Sequence, residues 1–155
     1  MEDAKQSFKE LLTKHIYQVG ENLHSIIVEL SVRAIRHDYS KFGAEEAPFF
    51  IEYSPKLKQM EYGSDEYLQC LDNMRPALDH HYDENRHHPE HFSNGISDMN
   101  MLDLLEMLSD WYGATKLSRG GDLMKSIEYN QGRFHYSDEL KNLLVRTAKD
   151  LNWIQ

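Results

Sequence analysis

The sequence lacks several features that would assign it to a class at once. Its single cysteine, Cys70, cannot form an internal disulfide, which favours a reducing, cytoplasmic location. No apolar run approaches the about 18 residues that cross a membrane, and residues 1–6 lack the apolar core of a secretion signal. Only four prolines interrupt 155 residues, which leaves room for long helices. One domain spanning residues 1–155 is predicted, with no membrane partner.

Basic residues are also scarce. The sequence contains 17 Lys and Arg residues and 26 Asp and Glu residues, which gives a formal net charge of −9. A protein that binds along a nucleic acid duplex needs a basic face to neutralise phosphates, so the charge argues against that function. A small anionic substrate is still compatible with it, and the oligomeric state stays open.

Apolar residues recur with helical spacing, and no segment is convincing as a strand, so the predicted fold class is all-α. The first helices are predicted over residues 4–19 and 22–37, separated at Gly20. Each carries a histidine in phase with its apolar stripe, His15 in the first and His37 in the second. A histidine in such a stripe is usually a hydrogen-bonded core residue, and the alternative is a metal ligand.

The middle of the chain is less regular. Pro48 and Pro55 limit helix formation within residues 38–63, whose aromatic side chains are expected to form a lid over the core. A helix over residues 65–82, kinked at Pro76, is predicted to follow.

Three more helices are predicted, over residues 99–117, over 122–130 and from Ser137 onwards. The first is apolar almost all round, so it should be the buried central helix, with Ser97 or Asp98 as its N-cap.

Acidic side chains are set into that central helix. Asp103, Glu106 and Asp110 are spaced i, i+3 and i+7 and therefore share one face. A buried carboxylate needs a partner, and Asp110 is the preferred metal ligand among them. The alternative is an exposed face, or one paired with Arg or Lys.

Histidine is concentrated in one short stretch. Five of the nine histidines fall within residues 79–91, among four carboxylates. Imidazole and carboxylate together are the ligands of borderline divalent metals. His80 and His81 end a packed helix and are candidate ligands, whereas His87, His88 and His91 lie in a predicted loop. A pH-sensitive loop or an adventitious metal tract is the alternative.

The order of these residues resembles the HD-domain metal-dependent phosphohydrolase superfamily, whose ligands run His, His-Asp and Asp on successive helices. His15 is similar to the first motif, His37-Asp38-Tyr39-Ser40-Lys41 to the His-Asp-x-Gly-Lys motif with Ser40 in place of Gly, and Asp110 to the last. His80-His81 is similar to the paired histidines of the HD-GYP branch, although the Gly-Tyr-Pro signature is absent. The chain looks closer still to a small, largely uncharacterised family of phages and bacteria, with which it shares the Tyr62-Gly63-Ser64 turn.

The resemblance implies a compact HD-like bundle of about six to seven helices and one or two divalent ions. The implied metal ligands are His15, His37, Asp38, His80, His81 and Asp110. Mn, Fe, Zn, Co and Mg are not distinguished by the sequence.

A phosphorylated substrate would need further groups. His87 and His88 are candidates to bind phosphate or protonate a leaving group, with a structural role as the alternative. Lys41 and Arg133 are preferred over Arg119 and Lys125 as phosphate-binding cations. The predicted catalytic residues are therefore Asp38, His88 and Lys41, and the predicted substrate-binding residues are Lys41, His87, His88 and Arg133.

The predicted function is hydrolysis of a small phosphorylated molecule, with a nucleotide as the first candidate. The first alternative is a protein, possibly phage-encoded, that binds a metal or nucleotide without turnover. A second is a di-iron oxygenase of the same fold, and a third is a helical protein whose histidines only pair with acids.

Overall fold

The computed structural model describes residues 2–60, 64–117 and 120–154. These residues form seven α-helices and three short 3-10 helices, with no strand among them, which confirms the predicted all-α class and the number of helices. None of the described helices is long and apolar enough to span a bilayer. The predicted turn at Tyr62-Gly63 and the cation Arg119 lie outside the described residues. The chain clusters into two compact units, Met1–His37 and Asp38–Gln155, which are described separately.

The first unit is a single helix, α1, which spans Glu2–Arg36. The predicted break at Gly20 is wrong. A glycine inside a helix costs about 1 kcal/mol relative to alanine but removes no backbone hydrogen bond, so the helix continues through it. Acidic residues in the first turn and basic residues in the last suit the helix dipole. No residue of α1 is buried, so its apolar stripe is not the core face that the periodicity predicts.

The second unit begins with a 3-10 helix at Tyr39–Phe42 and then α2 at Ala47–Leu57. The prediction of an irregular segment is wrong for α2. Pro48 lies in the first turn, where its missing N–H has no helical acceptor in any case. Pro55 lies close to the end, and the helix stops two residues later. Each proline therefore occupies a position that a short helix tolerates.

The predicted kinked helix over residues 65–82 is two helices. These are α3, Asp65–Asn73, and α4, Arg75–Glu84. Met74 lies between them as the C-cap of α3 and the N-cap of α4. Pro76 lies in the first turn of α4, so it starts a helix here instead of bending one. The following segment contains 3-10 helices at Pro89–His91 and Gly95–Asp98.

The remaining helices are α5, Met101–Leu117, α6, Leu123–Phe134, and α7, Asp138–Asp150. The sequence predicted Ser97 or Asp98 as the N-cap of α5, and this prediction is wrong. The cap is Asn100, whose Oδ1 accepts hydrogen bonds from the backbone N–H groups of Leu102 and Asp103. The last helix was predicted to start at Ser137, and Ser137 is the N-cap of α7, where its side chain accepts from Leu140 N.

The core of this unit lies between α5, α6 and α7. Met107 and Leu108 of α5 are buried together with Ile127 of α6 and Leu144 of α7. The buried Tyr136 hydroxyl donates to Ile127 O at 2.6 Å. The packed side of α5 thus fixes the position of its acidic face, which carries Asp103, Glu106 and Asp110.

Candidate metal centre

Asp38 is held in an uncommon backbone conformation. Its φ of 58° and ψ of 13° lie in the left-handed region, which few residues other than glycine adopt and which asparagine and aspartate tolerate best. It immediately precedes the 3-10 helix Tyr39–Phe42. The Lys41 ammonium donates to Asp38 Oδ2 from within that helix, which leaves Oδ1 on the side of the histidines.

Three histidines converge on Asp38 Oδ1. His81, in the last turn of α4, places Nε2 3.2 Å from this oxygen. His87, in the segment after α4, places Nε2 3.5 Å from it. His88 Nε2 lies 3.0 Å from His81 Nε2. These four residues form the Asp38–His81–His87–His88 cluster, whose four ligand atoms lie within 4.8 Å of one another.

Three separations within this cluster are close to those of a tetrahedral metal site. Ligand atoms about 2.0–2.1 Å from a zinc-sized ion lie about 3.3–3.4 Å from each other when the arrangement is tetrahedral. The separations of 3.0, 3.2 and 3.5 Å lie on either side of that value, and all four atoms lie within 4.8 Å of one another. His81 and His87 are each 2% exposed, so little water reaches their ring atoms.

Two further carboxylates hold the opposite edges of the rings. Glu46, the residue before α2, is completely buried. Its Oε2 lies 2.9 Å from His81 Nδ1, and its Oε1 lies 2.8 Å from His80 Nδ1. Glu106 of α5 places Oε1 3.3 Å from His87 Nδ1. The Glu46–His81 contact and the Glu106–His87 contact each fix the orientation of a ring in the cluster.

These contacts also orient the two rings. Nδ1 of His81 and Nδ1 of His87 each face a carboxylate oxygen, which can accept a hydrogen bond. Nε2 of each ring faces Asp38. A carboxylate on the far ring nitrogen is the usual support of a metal-binding histidine.

The pKa values follow from this crowding. Burial would raise the pKa of Asp38, but hydrogen bonds from His81, His87 and Lys41 outweigh it and hold the pKa far below its ordinary value. Burial, followed by the nearby His87 and His81, lowers the pKa of His88 to about 3. A carboxylate that is ionised and an imidazole that is neutral at pH 7 are the protonation states that bind a cation.

Two polar side chains, Asn85 and Ser40, contact His81 and each other. The buried Asn85 amide donates to His81 O at 2.7 Å and to Ser40 Oγ at 2.8 Å. Ser40 Oγ in turn lies 3.2 Å from His81 Nδ1. Ser40 replaces the glycine of the motif that this stretch resembles, and here its hydroxyl links the 3-10 helix to α4.

The structure brings together only some of the residues predicted from the sequence. Asp38, His81, His87 and His88 meet, and Asp110 offers a carboxylate oxygen within 4.8 Å of that of Asp38. His87 and His88, predicted as substrate contacts, thus lie in the cluster with Asp38 and His81.

Other predicted residues have different surroundings. His80 turns to Glu46, and its side chain is 36% exposed. Arg133 is paired with Glu90 at the surface, at 2.5 Å. Lys125 is exposed. None of these three joins the four-residue cluster.

His15 is separated from His37 within the first unit. Because α1 is unbroken from Glu2 to Arg36, the step of 22 positions from His15 to His37 corresponds to about 33 Å along the helix axis. The two side chains of one chain therefore cannot bind the same ion, contrary to the ligand set that the resemblance implied. His37 directly follows α1, and its role as a ligand stays a prediction.

Sequence reasoning missed the two supporting glutamates. Glu46 follows another glutamate in a stretch predicted to be irregular, and nothing in its spacing distinguishes it. Glu106 had a signal, since it lies between Asp103 and Asp110 on the acidic face of α5. Asp103 itself is paired with the Arg86 guanidinium at 2.9 Å, as the alternative interpretation of that face expected.

Comparison with known proteins gives a family and no function. No curated protein matches the chain, and no solved structure matches it either. One family model matches residues 4–154, which is nearly the whole chain. The chain therefore belongs to DUF5662, a family of unknown function.

Proposed function

We propose that this protein is a metal-dependent phosphohydrolase that acts on a small phosphorylated substrate, with a nucleotide as the first candidate. The observation that carries the proposal is the convergence of three imidazole nitrogens and one carboxylate oxygen, which all lie within 4.8 Å of one another. Asp38, His81, His87 and His88 would hold the ion. Three nitrogen ligands and one oxygen suit Zn, Fe, Co or Mn better than Mg, which prefers oxygen.

The chemistry follows from this ligand set. A bound divalent ion lowers the pKa of a coordinated water and polarises a phosphoryl oxygen. Lys41 lies beside the cluster, with its ammonium 5.0 Å from the centre of the Phe50 ring, and supplies a positive charge for a phosphate group. Asp110 extends the acidic side of the cluster and would complete a second ion position next to Asp38.

Elemental analysis tests the metal. The protein should be purified without a His tag, and about one or two ions per chain are expected. Asp38→Asn and His81→Gln should each lose most of this metal. His24→Gln is the matched control, because it removes an exposed histidine of α1 and should retain the wild-type content. No stoichiometric metal in the wild-type protein would leave histidines paired with acids as the correct interpretation.

Hydrolysis is tested separately on a panel of nucleotides and phosphomonoesters, with Mn, Fe, Co, Zn or Mg supplied. Asp38→Ala should abolish phosphate release, and His24→Gln should not change it. His88→Gln separates the two roles predicted for His88, because a residue that only transfers a proton can be lost without loss of metal. Full activity of Asp38→Ala would refute the proposal.

A second candidate function is a closed structural metal site without turnover. The observation that favours it is the presence of four protein ligands, since structural zinc is held by four side chains and catalytic zinc keeps a position for water. Metal that stays bound, a lower melting temperature after chelation and no hydrolysis across the panel would support this function. For the di-iron alternative, the test is O₂ consumption and a visible absorption band with Fe(II).

A further inference from the structure

Helix α1 carries an apolar surface that is unusual in both size and order. Twelve of the 21 exposed large hydrophobic residues in the described part of the chain lie on it. Scattered exposed apolar residues are normal, whereas exposed apolar residues gathered on one surface mark an interaction site. The apolar surface of α1 is therefore a candidate interaction site.

The order of these residues specifies a helical partner. Leu12, Ile16, Val19, Leu23, Ile26 and Leu30 alternate with spacings of four and three residues. This 3.5-residue repeat is the seam of a coiled coil. Of these six seam residues, all but Leu30 are between 41% and 61% exposed.

The seam is complementary to itself when a second copy runs antiparallel. In the register centred on residue 21, Leu12 faces Leu30 of the other copy, Ile16 faces Ile26, and Val19 faces Leu23. All six seam residues then meet an apolar residue. Moving the copies by one heptad would instead place Arg33 against Ile16, so this register is preferred.

Residues that flank the seam favour the antiparallel orientation. On one side His15 faces Glu29 of the other copy, and Asn22 faces its own equivalent at the centre. On the other side Gly20 faces Gly20, which permits close approach. In a parallel pair His15 would face Gly20, and Glu29 would face Ala34, so neither polar side chain would meet a polar partner.

Charge also distinguishes a second copy from a membrane surface. Residues 2–36 contain five basic and five acidic side chains, so the whole formal charge of −9 lies outside α1. Helices that lie on membranes are rich in Lys and Arg, which α1 is not. Two copies of an acidic protein repel each other least when they meet through surfaces of zero net charge. Helix α1 provides such a surface.

We propose that α1 pairs antiparallel with α1 of a second copy of this chain, along the seam Leu12–Leu30. The proposal is independent of the metal centre. Sedimentation of the full chain at micromolar concentration should show a dimer. Leu23→Glu, which puts a charge at the centre of the seam, should shift the mass to a monomer with its helical content retained.

The matched control is His24→Glu, which adds the same charge one residue along, off the seam, and should stay dimeric. Orientation is tested by oxidising single-cysteine variants, since the native Cys70 is buried. Asn22→Cys should form a covalent dimer, and Leu12→Cys, which lies about 27 Å from its equivalent in this register, should not.

Each other result overturns the proposal. A wild-type monomer would refute the interface, and a dimer that survives Leu23→Glu would place the contact elsewhere. A covalent dimer of Leu12→Cys without one of Asn22→Cys would refute the antiparallel orientation.

Discussion

Removal of the charge on Glu46 should weaken metal binding without removing a ligand. In Glu46→Gln the amide oxygen still accepts from His81 Nδ1–H, but it is neutral and fixes the ring less firmly. Loss of such a supporting group typically lowers metal affinity 10- to 100-fold, or by about 1.4–2.7 kcal/mol. We expect a change of this size, because Glu46 is fully buried and contacts a ring of the cluster at 2.9 Å.

The assay is competition for the metal against a chromophoric chelator, with circular dichroism to verify the fold. Glu45→Gln is the matched control, because it removes the same charge from the neighbouring, exposed residue. If Glu46→Gln binds metal as tightly as Glu45→Gln does, Glu46 does not support the site. Glu46→Ala should lose more, since it removes the acceptor nearest to His81 Nδ1 altogether and leaves Ser40 Oγ at 3.2 Å as a remaining contact.

Two further predictions concern stability and protonation. Arg86→Ala should lower the free energy of unfolding, measured by urea denaturation, by about 3 kcal/mol, the lower end for a broken buried pair. The lower end applies because Asp103 is completely buried whereas the Arg86 side chain is 47% exposed. The control is Arg75→Ala, which breaks an exposed ion pair and should cost under about 1 kcal/mol. An Arg86→Ala effect no larger than that of Arg75→Ala would contradict the reasoning. The hydrogen bond that His80 donates to Glu46 raises the pKa of His80 above its ordinary 6.5. This contact therefore stabilises the fold fully below pH 6.5 and less as pH rises through the raised pKa. An NMR titration should show the raised pKa in the wild type and its return towards 6.5 in Glu46→Gln; an unchanged value in the variant would assign the shift to other acids.

Local rules predicted the fold class and many helices of this chain. Apolar periodicity predicted the last helix from Ser137 onwards, and the structure has α7 at Asp138–Asp150. The same rules failed at Gly20 and at Pro76, because a breaker residue has different consequences at different positions in a helix. A glycine in mid-helix only costs stability, and a proline in a first turn starts a helix.

The cluster was predictable in composition but not in geometry. His81 and Asp38 were proposed as ligands from their places at the ends of helices. His87 and His88 were assigned to a substrate loop, because composition does not show that the segment after α4 turns back towards Asp38. The position of Glu46 beside His81 depends on α2, a helix that was not predicted because Pro48 and Pro55 argued against it. Long-range contacts of this kind are set by tertiary packing and leave no local pattern.

The supporting charges argue that the cluster is more than packing. A fold that needed only stability could replace a buried ion pair with apolar residues at no cost or with a gain. This unit instead buries Glu46 and Asp103 completely and His81 and His87 almost completely. It also holds Asp38 in a left-handed conformation, another feature that persists where function requires it. Perturbed and buried titratable groups concentrate at functional sites. Both glutamates contact the ring nitrogen on the far side from Asp38, which orients the rings and adds nothing to the apolar core. Buried carboxylates that orient imidazole rings towards Asp38 are what the proposed cation site would require.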